Sequence, residues 1–250
     1  MFGSRQFTSE VLEHCQTCSI RLTSVCSALK EEEIGGLAEI TTLIKADPQE
    51  TIFYEGDPAD HLFNVTGGGV SMFKLLPDGR RQITGFLFAG DFLGLALHDH
   101  YSYSAEAITG ATFCRFPRNK LEVLLDKYPK FEKRLLQTAS NELAAAQDQM
   151  LLLGRKTAQE RIASFLLNLS QRAMRRGQAG DKVDLPMSRA DIGDYLGLTI
   201  ETVSRTFTRL KKEEVIELPG VHEVVILDRA GLQDIAGFSA EDPVAAVAAF

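Results

Sequence analysis

The chain has 250 residues, of which 44% are hydrophobic and 24% charged, the composition of an ordinary globular protein with room for two modest domains. It has no run of about eighteen apolar residues, and its N-terminus lacks the apolar core of a signal peptide, so we expect no membrane partner and a cytoplasmic location. The net charge of −7 is unevenly spread, because residues 31–60 are strongly acidic whereas 155–176 and 199–212 are basic.

Four cysteines, the only ones in the chain, are the most informative residues near the N-terminus. Cys15, Cys18 and Cys26 lie within twelve residues, and Cys114 lies far downstream. Since cytoplasmic thiols stay reduced, such a set is more often metal-binding than disulfide-forming. Four thiolates complete the shell of one zinc ion or of one iron–sulfur cluster, and the residue types leave both open. We therefore predict a metal site formed by these four cysteines, three of them on an N-terminal arm of residues 1–30.

Residues 31–129 are predicted to form a small all-β barrel or jelly roll. One short helix is expected over Glu31–Ile44, and turn signals such as Pro77-Asp78-Gly79 and Ala89-Gly90-Asp91 separate the runs that follow. The predicted strands are Thr51–Tyr54, His61–Val65, Val70–Leu76, Arg81–Phe88 and Ala105–Phe116. Lys120–Tyr128 is expected to be a short helix that ends before Pro129.

Residues 130–154 contain neither Pro nor Gly up to Leu153 and predict one long helix. Apolar residues recur along it at spacings of three and four, the pattern of a helix-pair seam. The seam of a homodimer is predicted at Leu135, Ala139, Leu143, Ala146 and Met150. The alternative is a helix packed on its own domain, but about 24 residues is longer than that role usually needs.

Residues 155–238 are predicted to contain a DNA-binding helix pair, followed by a tail at 239–250. Ser188 and Asp191 have the capping-box spacing that opens a helix, Gly197 ends it, and Thr199 caps a second helix. Helix, glycine turn and helix at this spacing is a helix-turn-helix motif, flanked here by two short β runs. A helical hairpin within a core would not explain the polar outer face of the second helix.

The outward residues of the second helix match the chemistry of base recognition. Arg205 can donate two hydrogen bonds to guanine, and Glu201 can accept from cytosine and orient Arg205. Ser204 can touch a neighbouring base, whereas Arg209 is placed to meet phosphate. The predicted DNA-binding residues are Glu201, Thr202, Ser204, Arg205 and Arg209, and the predicted partner is double-stranded promoter DNA.

Taken together, these segments resemble the FNR branch of the CRP/FNR transcription regulators, from about Cys15 to Gly237. The strings that carry the resemblance are His14–Ile20, Gln82–Phe86 with Ala89–Asp91, Leu151–Leu153 with Glu160–Ile162, and above all Asp191–Arg205. The resemblance implies an α+β fold: an N-terminal β-roll sensor domain, a long dimerisation helix and a C-terminal winged helix-turn-helix. It also implies a [4Fe–4S] cluster on Cys15, Cys18, Cys26 and Cys114, although the gap between Cys18 and Cys26 is longer than in the best-known member.

The implied function is that of a global, oxygen-responsive transcription regulator and not an enzyme. Without oxygen a homodimer would bind palindromes with TTGAT-like half-sites, and Asp78, Arg80 and Arg81 would contact RNA polymerase from an exposed loop, Leu76–Gly85. No cyclic nucleotide is expected, because Gly94-Leu95 and Tyr103-Ser104 stand where cyclic-AMP-binding relatives carry Gly-Glu and Arg-Ser. The alternative is a family member with structural zinc or with a different small-molecule signal.

Overall fold

The computed structural model describes residues 4–96 and 99–237, which divide into two compact units. The first unit holds the chain up to Lys74 together with Gly85–Ser140, and the second holds Leu75–Thr84 and the chain from Asn141 onward. The divide therefore falls inside the predicted dimerisation helix instead of at residue 130. The predicted tail, residues 239–250, lies outside the described residues.

The first unit begins with helices that cover one face of a sheet. Helix α1 spans Ser4–Thr17, a 3-10 helix spans Val25–Ala28 and helix α2 spans Ile34–Ile40. The N-terminal segment is thus not a free arm, because α1 packs on α2. The single helix expected over Glu31–Ile44 is too long, since the β-branched run that begins at Ile40 favours a strand.

Within the described residues, eight strands build a β-roll, as the sequence predicts. They are β1 (Thr42–Ala46), β2 (Thr51–Phe53), β3 (His61–Gly67), β4 (Gly69–Leu75), β5 (Arg81–Phe88), β6 (Phe92–Leu93), β7 (Ser104–Ala107) and β8 (Ala111–Pro117). They form two four-stranded sheets, in the orders β1-β8-β3-β6 and β2-β7-β4-β5. The sequence analysis missed β1 and β6, and it merged β7 with β8 across the turn at 108–110.

Strand β8 separates two apolar cores because its side chains alternate between the faces of the sheet. Ala111 and Phe113 point between the two sheets, where they join Phe63 and Val65 of β3. Cys114 and Phe116 point to the other face, against the helices. The register places Cys114 opposite Leu43 on β1 and Asn64 on β3.

Two further helices follow the β-roll. Helix α3 spans Arg118–Lys127, and helix α4 spans Pro129–Arg155, close to the predicted long helix. Phe131 and Leu135 at the start of α4 belong to the same apolar core as Cys114. At 27 residues α4 is about 40 Å long.

The second unit contains α5 (Ala158–Arg175), β9 (Lys182–Asp184), α6 (Arg189–Leu196), α7 (Ile200–Lys212), β10 (Ile216–Gly220), β11 (Glu223–Ile226) and α8 (Arg229–Ala236). Its three strands form a small sheet in the order β10-β11-β9, which makes the unit a winged helix-turn-helix as predicted. Nowhere in residues 4–96 and 99–237 does a helix combine the length and apolarity needed to cross a membrane.

Candidate cysteine centre and nucleic-acid interface

The four cysteines come from separate elements, and three of them meet in one core. Cys15 lies on α1, Cys18 just after its end, Cys26 in the 3-10 helix and Cys114 on β8. Cys15 and Cys114 are 8% and 5% exposed members of the same apolar cluster, and Cys26 packs against it. All four thiols are free of disulfide bonds. The fold therefore brings together the residues that the spacing singles out, including one from about ninety positions downstream.

The pKa values of these thiols show how closely they influence one another. Burial first, and then the charges of Cys26 and Cys18, raise the pKa of Cys15 to about 11. Burial likewise raises the pKa of Cys114, with Cys15, Cys26 and Cys18 adding to the shift. The pKa of Cys26 is raised chiefly by burial, against a hydrogen bond with Ser24 that lowers it. Without a cation the buried thiols stay protonated, and a bound metal would ionise them.

The spacing of the thiols bears on which metal group fits. Across the described residues, no three His, Cys, Asp or Glu side chains lie close enough to hold one metal ion. A single zinc ion would draw its thiolates to within about 4 Å of each other, since Zn–S bonds are about 2.3 Å. An iron–sulfur cluster is larger and takes its four thiolates around its outside. Next to Cys15 in the chain, Nε2 of His14 is buried with no hydrogen-bond partner. Four free thiols that influence one another's pKa, next to an orphaned buried polar atom, are a donor set of the kind that holds a metal group.

The helix-turn-helix forms where the capping residues predict it. Ser188 accepts from the backbone N–H of Asp191 at 3.1 Å, and the Asp191 carboxylate accepts from the Ser188 N–H at 2.9 Å, so α6 opens with a complete capping box. Helix α6 ends at Gly197, whose φ of 63° suits glycine. Gly193 is needed for a different reason: a Cβ there would lie 2.6 Å from the carbonyl oxygen of Leu198. Only glycine lets the turn approach α6 so closely.

Helix α7 presents the expected polar face. Val203, Phe207 and Leu210 are buried, while Glu201, Ser204, Arg205 and Arg209 are exposed. Thr202 is half-buried and serves the helix start, because its N–H donates to the Thr199 hydroxyl at 3.2 Å. Arg209 is paired with Glu213 at 2.8 Å.

The position of Glu201 at the start of α7 lowers the pKa of its carboxyl group. A hydrogen bond from its own backbone N–H lowers its pKa first, the Thr199 hydroxyl lowers it further and the charge of Arg205 adds to both. Glu201 therefore stays ionised beside Arg205, four residues on along the same face.

Arginines on α5 and α6 stabilise the helix-turn-helix motif through hydrogen bonds and packing. Arg161 on α5 donates to the carbonyl oxygens of Leu196 and Leu153, each at 2.8 Å, and so holds the end of α6. Arg172 is 7% exposed. Part of the basic stretch 155–176 therefore serves packing and hydrogen bonding inside the unit. The guanidinium of Arg189 lies 3.5 Å from the centre of the Phe207 ring, and burial lowers its pKa. No spacing signal in the sequence identifies these packing roles.

The hairpin between β4 and β5 differs from its expected form. Asp78 and Arg80 are exposed and pair with each other at 2.8 Å. Arg81 is not exposed at the tip, because its guanidinium pairs with Asp191 and with Asp194, the latter at 3.3 Å, on α6 of the same unit. The side chain of Gln82 donates to the carbonyl oxygen of Asp194 at 2.6 Å.

The predicted seam on α4 also needs one change. Leu135 is 9% exposed and packs in the core of the first unit, so it is not available to a second chain. Its neighbour Leu136 is 70% exposed, and Leu143 and Met150 are 61% and 70% exposed. These three residues lie seven positions apart along the helix, the repeat of a coiled-coil seam.

Three residues at the positions that bind phosphate in cyclic-AMP-binding relatives are hydrogen-bonded within the unit. The hydroxyl of Tyr103 accepts from the Gly94 N–H at 3.0 Å, and that of Ser104 accepts from the Glu55 N–H at 2.9 Å. Arg118, which the sequence analysis overlooked, reaches this stretch but donates to the carbonyl oxygens of Ala96 and Gly94.

Known proteins match the chain along most of its length. Residues 43–128 match the family model described as a cyclic nucleotide-binding domain, and residues 160–235 match the Crp-like helix-turn-helix domain. The nitrogen fixation regulation protein FixK of Bradyrhizobium diazoefficiens is 42% identical, covering 89% of this chain and 93% of that protein.

Other relatives are transcription regulators of similar length. The transcriptional activator FnrL of Cereibacter sphaeroides is 37% identical over 91% of this chain and 93% of its own length. The fumarate and nitrate reduction regulatory protein of Vibrio cholerae is 36% identical over 91% of this chain and 92% of its own length. The crystal structure of FixK2 from Bradyrhizobium japonicum superposes with a TM-score of 0.75 at 38% identity, covering 80% of this chain and all of that one. These relatives are regulators and not enzymes, and the chain belongs to the FNR branch of the CRP/FNR family, as a transcriptional activator with a DNA-binding helix-turn-helix.

Proposed function

We propose that this activator senses oxygen through a [4Fe–4S] cluster and, when oxygen is absent, binds FNR-type palindromic DNA as a homodimer in the cytoplasm. The proposed ligands are Cys15, Cys18, Cys26 and Cys114. The observation that carries the proposal is that Cys15 of α1 and Cys114 of β8 lie in one buried core with Cys26 packed against it, and that Cys18 raises the pKa of all three. When bound, such a cluster supplies an oxygen-labile centre.

The surroundings of the thiols provide a route from this centre to α4. Cys15 and Cys114 share their apolar core with Phe131 and Leu135 on the first turns of α4. Thiolates tied to one centre would hold α1 and the 3-10 helix against β8, and would fix the surface on which α4 begins. Release of the thiolates would loosen that surface. A few kcal/mol of difference between two such states is enough to switch a marginal dimer.

The exposed side of α4 supports a homodimer. Leu136, Leu143 and Met150 form an apolar row at heptad spacing, and Ala139 and Ala146 occupy the alternate positions. Small residues at those positions allow close approach but contribute little burial. The resulting seam would be weak by itself, which suits a dimer that depends on the state of the cysteine centre.

The outer face of α7 supports sequence-specific binding. Arg205 is exposed beside ionised Glu201, so its guanidinium can be oriented towards guanine while Glu201 accepts from cytosine. Ser204 lies on the same face, and Arg209 and the following lysines, Lys211 and Lys212, are suited to phosphate. Two such helices in a symmetric dimer would read half-sites of TTGAT type about 10 bp apart.

Two further parts of the proposal concern partners. Asp78 and Arg80 remain candidates for contact with RNA polymerase, because they are exposed at the hairpin tip, whereas Arg81 is used inside the unit. A cyclic nucleotide is not part of the proposal. Gly94, Tyr103 and Ser104 already form hydrogen bonds within the unit, and Arg118 donates to backbone carbonyl oxygens there.

The test uses protein purified without oxygen, examined by visible absorption and by iron and sulfide assay before and after air is admitted. We expect a broad iron–sulfur band that changes in air, together with loss of binding to a TTGAT palindrome. Cys114→Ala should remove the band and the oxygen response without unfolding the β-roll, whereas Thr17→Ala, an exposed change near the same ligands, should retain both. Colourless protein with bound zinc would contradict the oxygen-sensing part and leave DNA binding standing.

A further inference from the structure

Asn64 on β3 is a polar residue on the same face of the sheet as Cys114. Its neighbour Leu62 points into the cysteine core and Phe63 points between the two sheets, so the pleat directs Asn64 to the cysteine side. The register agrees, because Asn64 pairs with Cys114 on β8 and with Phe92 on β6, and both belong to that core. Opposite residues of an antiparallel pair have their Cβ atoms about 4.5–5.5 Å apart. The Asn64 side chain therefore lies beside that of Cys114.

The carboxamide of Asn64 is buried without being satisfied. Asn64 is 1% exposed, and its Oδ1 has no hydrogen-bond partner among the described residues. Leu43 and Phe92 complete the cross-strand row of Asn64 and Cys114, and both are apolar. A buried amide oxygen without a partner costs folding free energy, so an apolar side chain of similar shape would suit the metal-free fold better. An amide at this position points to a partner that the polar groups of the protein do not supply.

A carboxamide suits a cysteine that changes between thiol and thiolate. It offers one acceptor oxygen and two N–H donors, and a half-turn about its last side-chain bond exchanges them. Burial raises the pKa of Cys114, so its thiol is protonated in the metal-free chain. A bound metal group takes the sulfur as a thiolate, which accepts hydrogen bonds but has no proton to donate. The N–H side of the amide would then face a charged acceptor, and such hydrogen bonds are about twice as strong as neutral ones.

We propose that Asn64 is a positioning residue of the cysteine centre, whose side-chain N–H donates to the Cys114 thiolate when a metal group is bound. The inference rests on the cysteine centre of the proposed function, but it does not depend on how that centre responds to oxygen. Cys15, Cys18 and Cys26 all precede β1, so Cys114 is the ligand that the β-roll supplies. A hydrogen bond from β3 would hold this thiolate in place and slow the loss of the metal group.

The metal-free protein provides the first test. Leucine has the same number and branching of heavy atoms as asparagine, so Asn64→Leu removes the unpartnered amide and should raise the urea midpoint. Thr41→Val is the matched control, because the Thr41 hydroxyl is also buried but donates to the Leu37 carbonyl oxygen at 2.7 Å. Losing that hydrogen bond should lower the midpoint. A midpoint that falls in Asn64→Leu as it does in Thr41→Val would overturn the proposal.

The loaded protein tests the hydrogen bond itself. Protein loaded with iron and sulfide without oxygen is mixed with excess EDTA, and the loss of visible absorption and of bound iron is followed with time. Removing a hydrogen-bond partner of a metal ligand typically costs about 10- to 100-fold in metal affinity, so Asn64→Leu should lose iron at least about tenfold faster than the parent. Asn64→Ser keeps one O–H donor and should lose iron at an intermediate rate, and Thr41→Val should match the parent.

The two measurements should move in opposite directions for Asn64→Leu: the metal-free chain becomes more stable and the centre loses iron faster. A residue that only packs would not produce this combination. Iron loss at the parent rate from folded Asn64→Leu would refute the role of Asn64 and leave the proposed function intact. A parent chain that takes up no iron would refute the proposed cluster and the role of Asn64 together. If Asn64→Leu does not fold, Asn64→Val removes the amide with less volume and is subject to the same outcomes.

Discussion

Two adjacent leucines on α4 make the proposed dimer seam testable with one type of substitution. Leu135 is 9% exposed and sits in the core with Phe131, whereas Leu136 is 70% exposed. Full burial of a leucine is worth about 1.5–3 kcal/mol, so a partner that covers Leu136 would gain about 1–2 kcal/mol per chain. Counting both chains and the methyl that alanine keeps, Leu136→Ala should cost the dimer about 2–3 kcal/mol, or roughly 30- to 150-fold in its dissociation constant.

Leu135→Ala is the matched control, and it should reduce the folding free energy instead of the dimer affinity. Removing a buried leucine leaves a cavity and typically costs about 2–5 kcal/mol of folding free energy. Leu136→Ala removes exposed surface from the isolated chain and should change its unfolding free energy by less than about 0.5 kcal/mol.

Sedimentation equilibrium of anaerobic protein over a range of concentrations gives the dimer dissociation constant of each variant. Urea titration at a concentration where the chains are monomeric gives the folding free energy separately, which matters because association itself stabilises the folded state. An unchanged dissociation constant for Leu136→Ala would refute the seam assignment, as would a dimer weakened by Leu135→Ala with no loss of folding free energy.

Three further predictions concern the recognition helix and the thiols. Arg205→Ala should weaken binding to a TTGAT palindrome by about 1–3 kcal/mol with little effect on random DNA, whereas Lys211→Ala should weaken both and reduce the salt dependence of a fluorescence-anisotropy titration. Gly193→Val places a Cβ 2.6 Å from the Leu198 carbonyl oxygen, so the turn must shift; palindrome binding should fall sharply while any iron–sulfur absorption is kept. Metal-free protein should lose folding free energy as pH rises from about 9 to about 11, because the unfolded chain releases the Cys15 proton before the folded chain does. Urea titrations across this pH range should show a smaller loss of folding free energy in Cys15→Ala. The same dependence of folding free energy on pH in both proteins would contradict the raised pKa of Cys15.

Local signals account for much of what could be predicted. The capping residues at Ser188 and Thr199 and the glycine at 197 determine where α6 and α7 begin and where α6 ends, since those preferences act within a few residues. The long helix α4 was predictable within two residues at each end because neither Pro nor Gly occurs between Lys130 and Leu153. Alternation and turn residues likewise predicted most strands of the β-roll.

The predictions that failed depend on neighbours distant in sequence. Periodicity alone makes Leu135 and Leu136 nearly equivalent, and only the packing of α4 on the cysteine core decides which one is buried. Arg81 reads as an exposed hairpin residue until α6 supplies Asp191 and Asp194. Strand β1 was hidden because Ile34, Leu37, Ile40 and Ile44 fit a helical stripe, and pairing with β8 overrides that local pattern.

The sequence by itself determined the family, the order of elements and the residue types available for chemistry: four cysteines, a base-reading face and a long amphipathic helix. Only the tertiary structure brought Cys114 to the N-terminal cysteines and showed which charges are already paired. The reason is physical. Helix caps, turns and periodicity are interactions of near neighbours, whereas burial, pKa shifts and ion pairs depend on residues that meet only when the chain has folded.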